Sequence, residues 1–408
     1  VILAAGENSR FVPFKRNRHK STFSIFGEPL IVQTIRGLKE AGVTKVEIVK
    51  SPEDKTLEKL IATARVGVEI NFHNQQKPLG MGDSLLTASG RLDERFLLVN
   101  SQQINVAEHL SLLNGQKGVV LFSQKTDEPE KYGILALDGN RVTRVVEKPK
   151  EMKGLSDSRI VGIYTLTKDF VDLVKTLKVS EYQFEEALDK YAQENEVVAQ
   201  ESEFPTLSLK YAWDLFDIVS YRFSQLGGRP QIHKGAKVGT GAIITGPVII
   251  EDGAQIYEYA LIQGPCYIGR NVVVGSFCKV RKETVLEEGV ELQNAVDIKH
   301  SIVGKDTHIH SGFVGDSIIG EDVGIGAGFI TANRRLDRKN VTVPIKGEKV
   351  DTKTSFFGSL IGDRAKIGIH CGTNPGTIIE EGTVIMPGTI VSPKTQLDHP
   401  RRYRRWSC

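Results

Sequence analysis

Twelve aliphatic residues, Ile232, Val238, Ile244, Ile250, Ile256, Ile262, Ile268, Val274, Val280, Leu286, Leu292 and Ile298, fall at intervals of six without an interruption. Turn-forming residues such as Gly235, Gly241 and Gly253 lie between them. This pattern predicts a hexapeptide-repeat parallel β-helix, in which each aliphatic points inward and stacks on its equivalent one coil further on. The period loosens to fives and sixes at Val303, Ile309, Val314, Ile319 and Ile325, and resumes as Ile361, Ile367, Thr373, Ile379, Ile385 and Val391. A polar insertion over 331–357 interrupts it. An insertion in a solenoid is expected to project from the surface, where loops carry function more often than coils do.

The first half of the chain has another rhythm. Short apolar runs at Val1–Ala5, Val46–Val49, Phe96–Val99, Val119–Phe122 and Ile163–Leu166 read as buried strands, and Leu30–Glu40 and Phe170–Leu177 carry helical spacing. Strands alternating with helices predict an α/β, Rossmann-like domain with a mostly parallel sheet, whose ligands sit at the carboxyl ends of the strands. The expected organisation is an α/β domain over 1–226, a β-helix over 227–400 and a basic tail over 401–408. A chain of 408 residues exceeds what one core supports, in agreement with two domains.

Composition excludes several functions. No run approaches the roughly 18 apolar residues of a membrane span, and a net charge of +3 gives no global reason to bind nucleic acid. The four cysteines, Cys266, Cys278, Cys371 and Cys408, show no metal-ligand spacing and read as free thiols of a cytoplasmic protein. The apolar run at Val1 is too short for a signal peptide and implies that a few residues precede it.

The loop Leu3-Ala-Ala-Gly-Glu-Asn-Ser-Arg10 follows a predicted strand, with Lys20 ten residues on. Backbone N–H groups and two cations in such a loop can wrap phosphates, although many surface loops share these residues. With Pro29-Leu30, Leu79-Gly80-Met81-Gly82, Tyr132-Gly133, Val146-Glu147-Lys148-Pro149 and Gly162-Ile163-Tyr164 in this order before a hexapeptide helix, the chain resembles the sugar-1-phosphate nucleotidylyltransferases with a C-terminal left-handed β-helix. It resembles in particular the bifunctional N-acetylglucosamine-1-phosphate uridylyltransferase and glucosamine-1-phosphate acetyltransferase family, archaeal type. The resemblance implies that Gly6, Arg10 and Lys20 hold a nucleoside triphosphate, that Gly80 and Gly82 face the base, and that Lys148 and Tyr164 contact a sugar phosphate. It also implies Mg²⁺ and acetyl-CoA as cofactors, a nucleotide or nucleotide sugar as ligand, and a trimer.

The departures fall where the family's chemistry needs carboxylates. Gln102 and Ser208 stand at the two metal-binding Asp positions, and Asp214 is a candidate substitute ligand. Asn8 replaces a loop glycine and Ser21 a proline. In the β-helix, His310 matches the family's catalytic base, and Arg281, Lys299, Asn333 and Lys339 match its binding positions. Phe313 replaces a tyrosine there, Thr354-Ser-Phe356 replaces a basic run, and His370 reads as structural. The tail Arg401-Arg-Tyr-Arg-Arg-Trp406 suits a coenzyme's phosphates, an acidic partner or no ligand at all.

Three functions follow from these residues. One is a pseudoenzyme that keeps its ligand pocket and serves as a regulatory or structural subunit, as a homo-trimer or beside an active paralogue. Another is an active sugar-phosphate acetyltransferase working through His310. The third is a bifunctional UTP/dTTP-sugar-1-phosphate nucleotidylyltransferase with an atypical metal site. The paired loss of carboxylates favours the first.

Overall fold

The computed structural model describes residues 1–14 and 18–393. Its described residues divide into two compact units. One is drawn from Val1–Glu7, Asn17–Phe23 and Pro29–Ser208, the other from Asn8–Arg16, Ser24–Glu28 and Leu209–Cys408. Among the described residues no helix is long and apolar enough to cross a membrane.

The first unit is built on a nine-stranded sheet. Its strands are β1 (Ile2–Ala4), β2 (Lys45–Lys50), β3 (Glu69–Asn74), β4 (Arg95–Asn100), β5 (Val119–Lys125), β6 (Gly133–Asp138), β7 (Arg141–Glu147), β8 (Ser158–Thr167) and β9 (Val197–Glu201), in the spatial order β3-β2-β1-β4-β8-β5-β9-β7-β6. The predicted mostly parallel sheet needs correction. β3, β2, β1 and β4 run parallel, but β8 is antiparallel to β4 and β5, and β6 and β7 form a hairpin. The turn Gly139-Asn140 between β6 and β7 is too short for the crossover that parallel strands require.

Helices cover both faces. One face packs Leu85, Phe170, Phe184 and Leu188 against Leu121 and Leu166. The other packs Ile31, Ile35 and Leu38 of α1 (Leu30–Glu40) and Leu57 and Ile61 of α2 (Lys55–Ala64) against Ile48, Val99 and Phe122. The predicted helix at Phe170–Leu177 is α5 (Lys168–Thr176), after α3 (Met81–Ala88) and α4 (Val106–Leu110) and before α6 (Gln183–Glu194).

In the second unit the strands visit three eight-stranded parallel sheets in turn, the winding of a parallel β-helix. Ile232 pairs with Ile250, Ile250 with Ile268 and Ile268 with Leu286, so residues of the six-residue pattern stack coil upon coil. Ile250, Ile268, Leu286 and their equivalents are buried, whereas Ile232 and Val238 of the first coil are half-exposed because no coil precedes theirs. The loosened period marks three corners one residue short, at 298–303, 309–314 and 314–319, while the sheets stay in register.

Residues 331–357 are partly folded into the unit. They contain an antiparallel hairpin, Thr342–Ile345 with Glu348–Asp351, and Val341, Val343, Ile345 and Phe357 are all buried. The alternation of apolar residues from Val341 to Ile345 turns one face of the hairpin inward, while Leu336 and Lys346–Lys349 stay exposed as expected of a projecting insertion. Helix α7 (Leu215–Ser224) belongs to this unit, with Phe216 stacked on His300 at 4.3 Å and the Ser220 hydroxyl donating to Glu283 at 2.9 Å.

Candidate functional site

The loop after β1 leaves Gly6 exposed with open space around it. Lys20 opens a single 3-10 turn, Lys20–Thr22, whose order comes from His19. The His19 Nδ1 accepts the Ser21 backbone N–H at 3.3 Å and lies 2.8 Å from the Ser21 hydroxyl. The His19 backbone N–H donates to Asp54 at 2.8 Å, and the second oxygen of Asp54 accepts the Leu57 N–H at 3.0 Å at the start of α2. Burial, then the charge of Lys20, pushes the His19 imidazole down to about 3, which keeps it a neutral acceptor. His19 was not among the residues singled out from sequence, and its signal was the pair of short polar side chains bracketing Lys20. Arg10 is exposed and belongs to the second compact unit.

Gly80, Gly82, Lys148 and Tyr164 converge on the start of α6. Gly80 has φ +104°, and a Cβ there would stand 2.8 Å from the Glu181 carbonyl oxygen; one on Gly82 would stand 2.8 Å from Gln183 Oε1. Gln75 holds the loop, donating to Asp83 at 2.8 Å and accepting from the Ser84 hydroxyl at 2.7 Å. Lys148 sits at φ +46° with its Nζ 3.1 Å from Glu147 and 5.1 Å from the centre of the Tyr182 ring. Tyr164 is buried edge-on against Phe184, 5.2 Å between centroids. Burial first, then the carboxylates of Glu185 and Glu147, raises its phenol above the ordinary tyrosine range. Glu185 was also not singled out from sequence; it is half-buried and only the packing of α6 brings it here.

At the two expected metal positions, Gln102 is buried in the turn after β4, its carbonyl accepting the Ile104 N–H at 2.9 Å, and Ser208 is exposed. The candidate substitute Asp214 is engaged elsewhere. Its Oδ2 accepts the backbone N–H groups of Lys210 and Tyr211 and caps the turn that leads into α7. A cavity lined by Val1, Lys45, Glu47 and Arg95 opens at the amino ends of β1, β2 and β4, the end of the sheet away from these residues.

In the second unit Arg281 and Lys299 are register partners on one sheet. Arg281 forms a two-pronged pair with Asp297, at 2.8 and 2.9 Å from one guanidinium nitrogen. Lys299 pairs with Asp316 at 2.9 Å, and the same carboxylate accepts from Asn333 and lies 2.9 Å from His300 Nδ1. Burial opposes the charge of Asp316, but these three partners outweigh it and hold the carboxyl below the ordinary range. Phe356 lies between Lys299 and Arg334, 5.2 and 4.8 Å from the two cations. Asp297, His300 and Asp316 escaped the sequence reading, although His300 and Asp316 occupy two of the shortened corners.

His310 occupies the third shortened corner and is exposed. Its backbone N–H donates to the Ile325 carbonyl at 3.0 Å, and no described residue makes a hydrogen bond to its ring. Phe313 on the next strand offers no hydroxyl. Lys339 is exposed on the insertion, its backbone N–H donating to Asp337 at 3.2 Å. The basic tail lies outside the described residues.

Compared with known proteins, residues 1–214 match the nucleotidyl transferase family model. The chain belongs to that family. Residues 244–350 match the model described as GMPPB C-terminal domain. The chain is similar over most of its length to the bifunctional protein GlmU of Methanococcus vannielii, 33% identical over 92% of this chain and 90% of the relative. It is also similar to a bifunctional sugar-1-phosphate nucleotidylyltransferase/acetyltransferase of Sulfurisphaera tokodaii, 28% identical over 93% of each. The predicted family is therefore shown for both halves of the chain together.

Proposed function

We propose that this family member keeps a ligand-binding frame but has lost nucleotidylyl transfer, and that it acts as a nucleotide-sugar-binding regulatory or structural subunit. The reading rests on one observation: of the three side chains at or near the metal positions, Gln102 and Ser208 are neutral and Asp214 is occupied as a helix cap. Mg²⁺ between phosphates needs anionic oxygen ligands, and these residues do not fit it. Among the described residues no three His, Cys, Asp or Glu side chains gather as a metal site. Phosphate repulsion then goes uncompensated in the transition state, while Lys20, Lys148 and the Gly80 loop still favour a phosphorylated ligand.

The same reading takes the second part of the chain, 227–400, as a left-handed hexapeptide helix that follows a nucleotidyltransferase-like region 1–226 and assembles the protein as a trimer or with an active paralogue. Ile243, Ile330 and Ile390, all more than half exposed on the outward face of one sheet, support assembly. The free, buried thiols of Cys266, Cys278 and Cys371 support a reducing cytoplasm. The test is pyrophosphate release from sugar 1-phosphate, nucleoside triphosphate and Mg²⁺, for which no turnover is expected. Gln102→Asp with Ser208→Asp should confer Mg²⁺-dependent nucleotide binding. Turnover by the unmodified protein would overturn the proposal.

A second reading, acetyl transfer through His310, is favoured by the clustering of Arg281, Lys299 and Asn333. It is weakened by an imidazole that nothing orients.

A further inference from the structure

One imidazole in the second unit touches more of its surroundings than a surface corner requires. His300 stands at a corner of the β-helix with φ +43° and is half-buried. Its ring stacks on Phe216 of α7, 4.3 Å between centroids and 22° from parallel. Nδ1 is 2.9 Å from Asp316 Oδ1 on the next coil, and Nε2 is 3.8 Å from Glu283 Oε2 on the coil before. Each carboxylate leads further. Glu283 accepts the Ser220 hydroxyl one turn along α7, and Asp316 accepts from Asn333 near the start of the 331–357 insertion and pairs with Lys299. The charges around the ring do not balance without it. Asp217 of α7 acts on the same ring: the residue as a whole is exposed, yet the atoms covering its carboxyl raise it, and the charge of His300 opposes that rise. Asp217, Glu283 and Asp316 are thus three carboxylates against the one ammonium of Lys299. Arg281 is taken up by Asp297, and Lys282, whose carbonyl accepts the His300 N–H at 2.7 Å, has an exposed side chain.

We propose that His300 is a pH-sensitive fastener, which in its protonated form holds the start of α7 on the β-helix and in its neutral form lets that segment open more often. A neutral imidazole has one N–H, which Asp316 can accept, and leaves Glu283 and Asp217 without a counter-charge. An imidazolium has two N–H groups and places a positive charge among the three acids. Phe216 and Asp217 approach the ring only while the helix is seated, and an aromatic face and a carboxylate both favour the charged form. Seating and protonation therefore support each other. Docking is strongest in mild acid and weakens as pH rises through the range in which histidines titrate. Leu215, Ile218, Val219 and Phe223 are buried and keep the helix in place by apolar contact at any pH. The proton thus sets how often the first turns open, and the opening exposes the Phe216 and Trp213 rings that pack against Phe357 at the end of the insertion.

The test is amide hydrogen exchange of the full chain at about pH 6 and about pH 8, either side of the histidine range, corrected for the intrinsic pH dependence of exchange. The segment 211–220 is read against the coil segment 266–280, so that any change in the stability of the whole unit cancels. Relative opening of 211–220 should be about three- to fivefold more frequent at the higher pH, the scale of one partly exposed charge pair. His300→Asn takes up no proton and suits the positive φ; it should open at the parent's higher-pH level under both conditions. Asp217→Asn removes an acid that needs the proton, and should stay near the parent's lower-pH level with a smaller step. Equal opening of the parent at the two pH values, a step that survives His300→Asn, or a His300→Asn variant as closed as the parent in mild acid would overturn the inference.

Discussion

Replacing Glu287 by glutamine should change how the second unit responds to pH, in a way that can be worked out from its surroundings. Glu287 is 3% exposed; Oε2 accepts the Gly27 N–H of the Ser24–Glu28 hairpin at 2.9 Å, and Oε1 has no partner. Burial above all, with the nearby carboxylates of Glu321 and Glu288, raises this acid from 4.5 to about 7 against the pull of the Gly27 and Phe26 N–H groups. At about 1.4 kcal/mol per pH unit, this rise is a cost of about 3 kcal/mol once the group is ionised. The folded state holds the extra proton, so stability falls as pH rises from about 4.5 to about 7 and the full cost persists above that. Glutamine keeps the acceptor for Gly27 and removes the charge. Its NH₂ group inherits the unpartnered position, which offsets about 1 kcal/mol. The variant should match the parent near pH 5 and be more stable by about 2 kcal/mol near pH 8. Urea unfolding followed by Trp213 fluorescence, in a Trp406→Phe background, reports on this unit because Trp213 packs against Phe357. Parallel stability-against-pH curves for parent and variant would refute the argument.

Asp316→Asn should cost about 2–4 kcal/mol, since it strands Lys299 and His300 beside a buried neutral amide, and the loss should vanish in acid as the parent's depressed carboxyl protonates below the ordinary range. Denaturant titrations at neutral pH and in acid check both parts. Gly80→Ala should destabilise by about 2 kcal/mol through its positive φ and its approach to the Glu181 carbonyl, whereas Gly6→Ala, with open space around it, should be near neutral; thermal melts of the pair decide. Acetyl transfer from acetyl-CoA to glucosamine 1-phosphate should be weak or absent, and brisk transfer abolished by His310→Ala would establish the second reading in its place. Sedimentation should report a trimer, and a monomer at micromolar concentration would contradict the assembly proposed for the β-helix.

The spacing of Ile232 to Ile298 marked a parallel β-helix, because each coil repeats one local geometry and its inward residues recur at a fixed interval, and the structure forms its three parallel sheets over that span. The motifs from Gly6 to Tyr164 likewise determined the family, since each is a short run whose chemistry is carried by adjacent residues. What sequence left open depends on partners far apart in the chain. The direction of β8, antiparallel beside β4, is not written in its residues, because apolar runs look alike whichever way they point. The buried face of the Val341–Ile345 hairpin was hidden among charged neighbours, and its fate depended on the coil beneath it. The site residues that matter most to the reading are of the same kind. Asp214 was a candidate ligand in the sequence, and only the fold shows its carboxylate accepting the Lys210 and Tyr211 N–H groups as a cap. Glu185 was one of many glutamates until α6, held to β7 by Asp189, carried it to the level of Glu147 and Tyr164. Local periodicity is written residue by residue, whereas the partner of a charge is chosen only when the chain closes on itself, and only tertiary structure could decide which carboxylates this protein has already used.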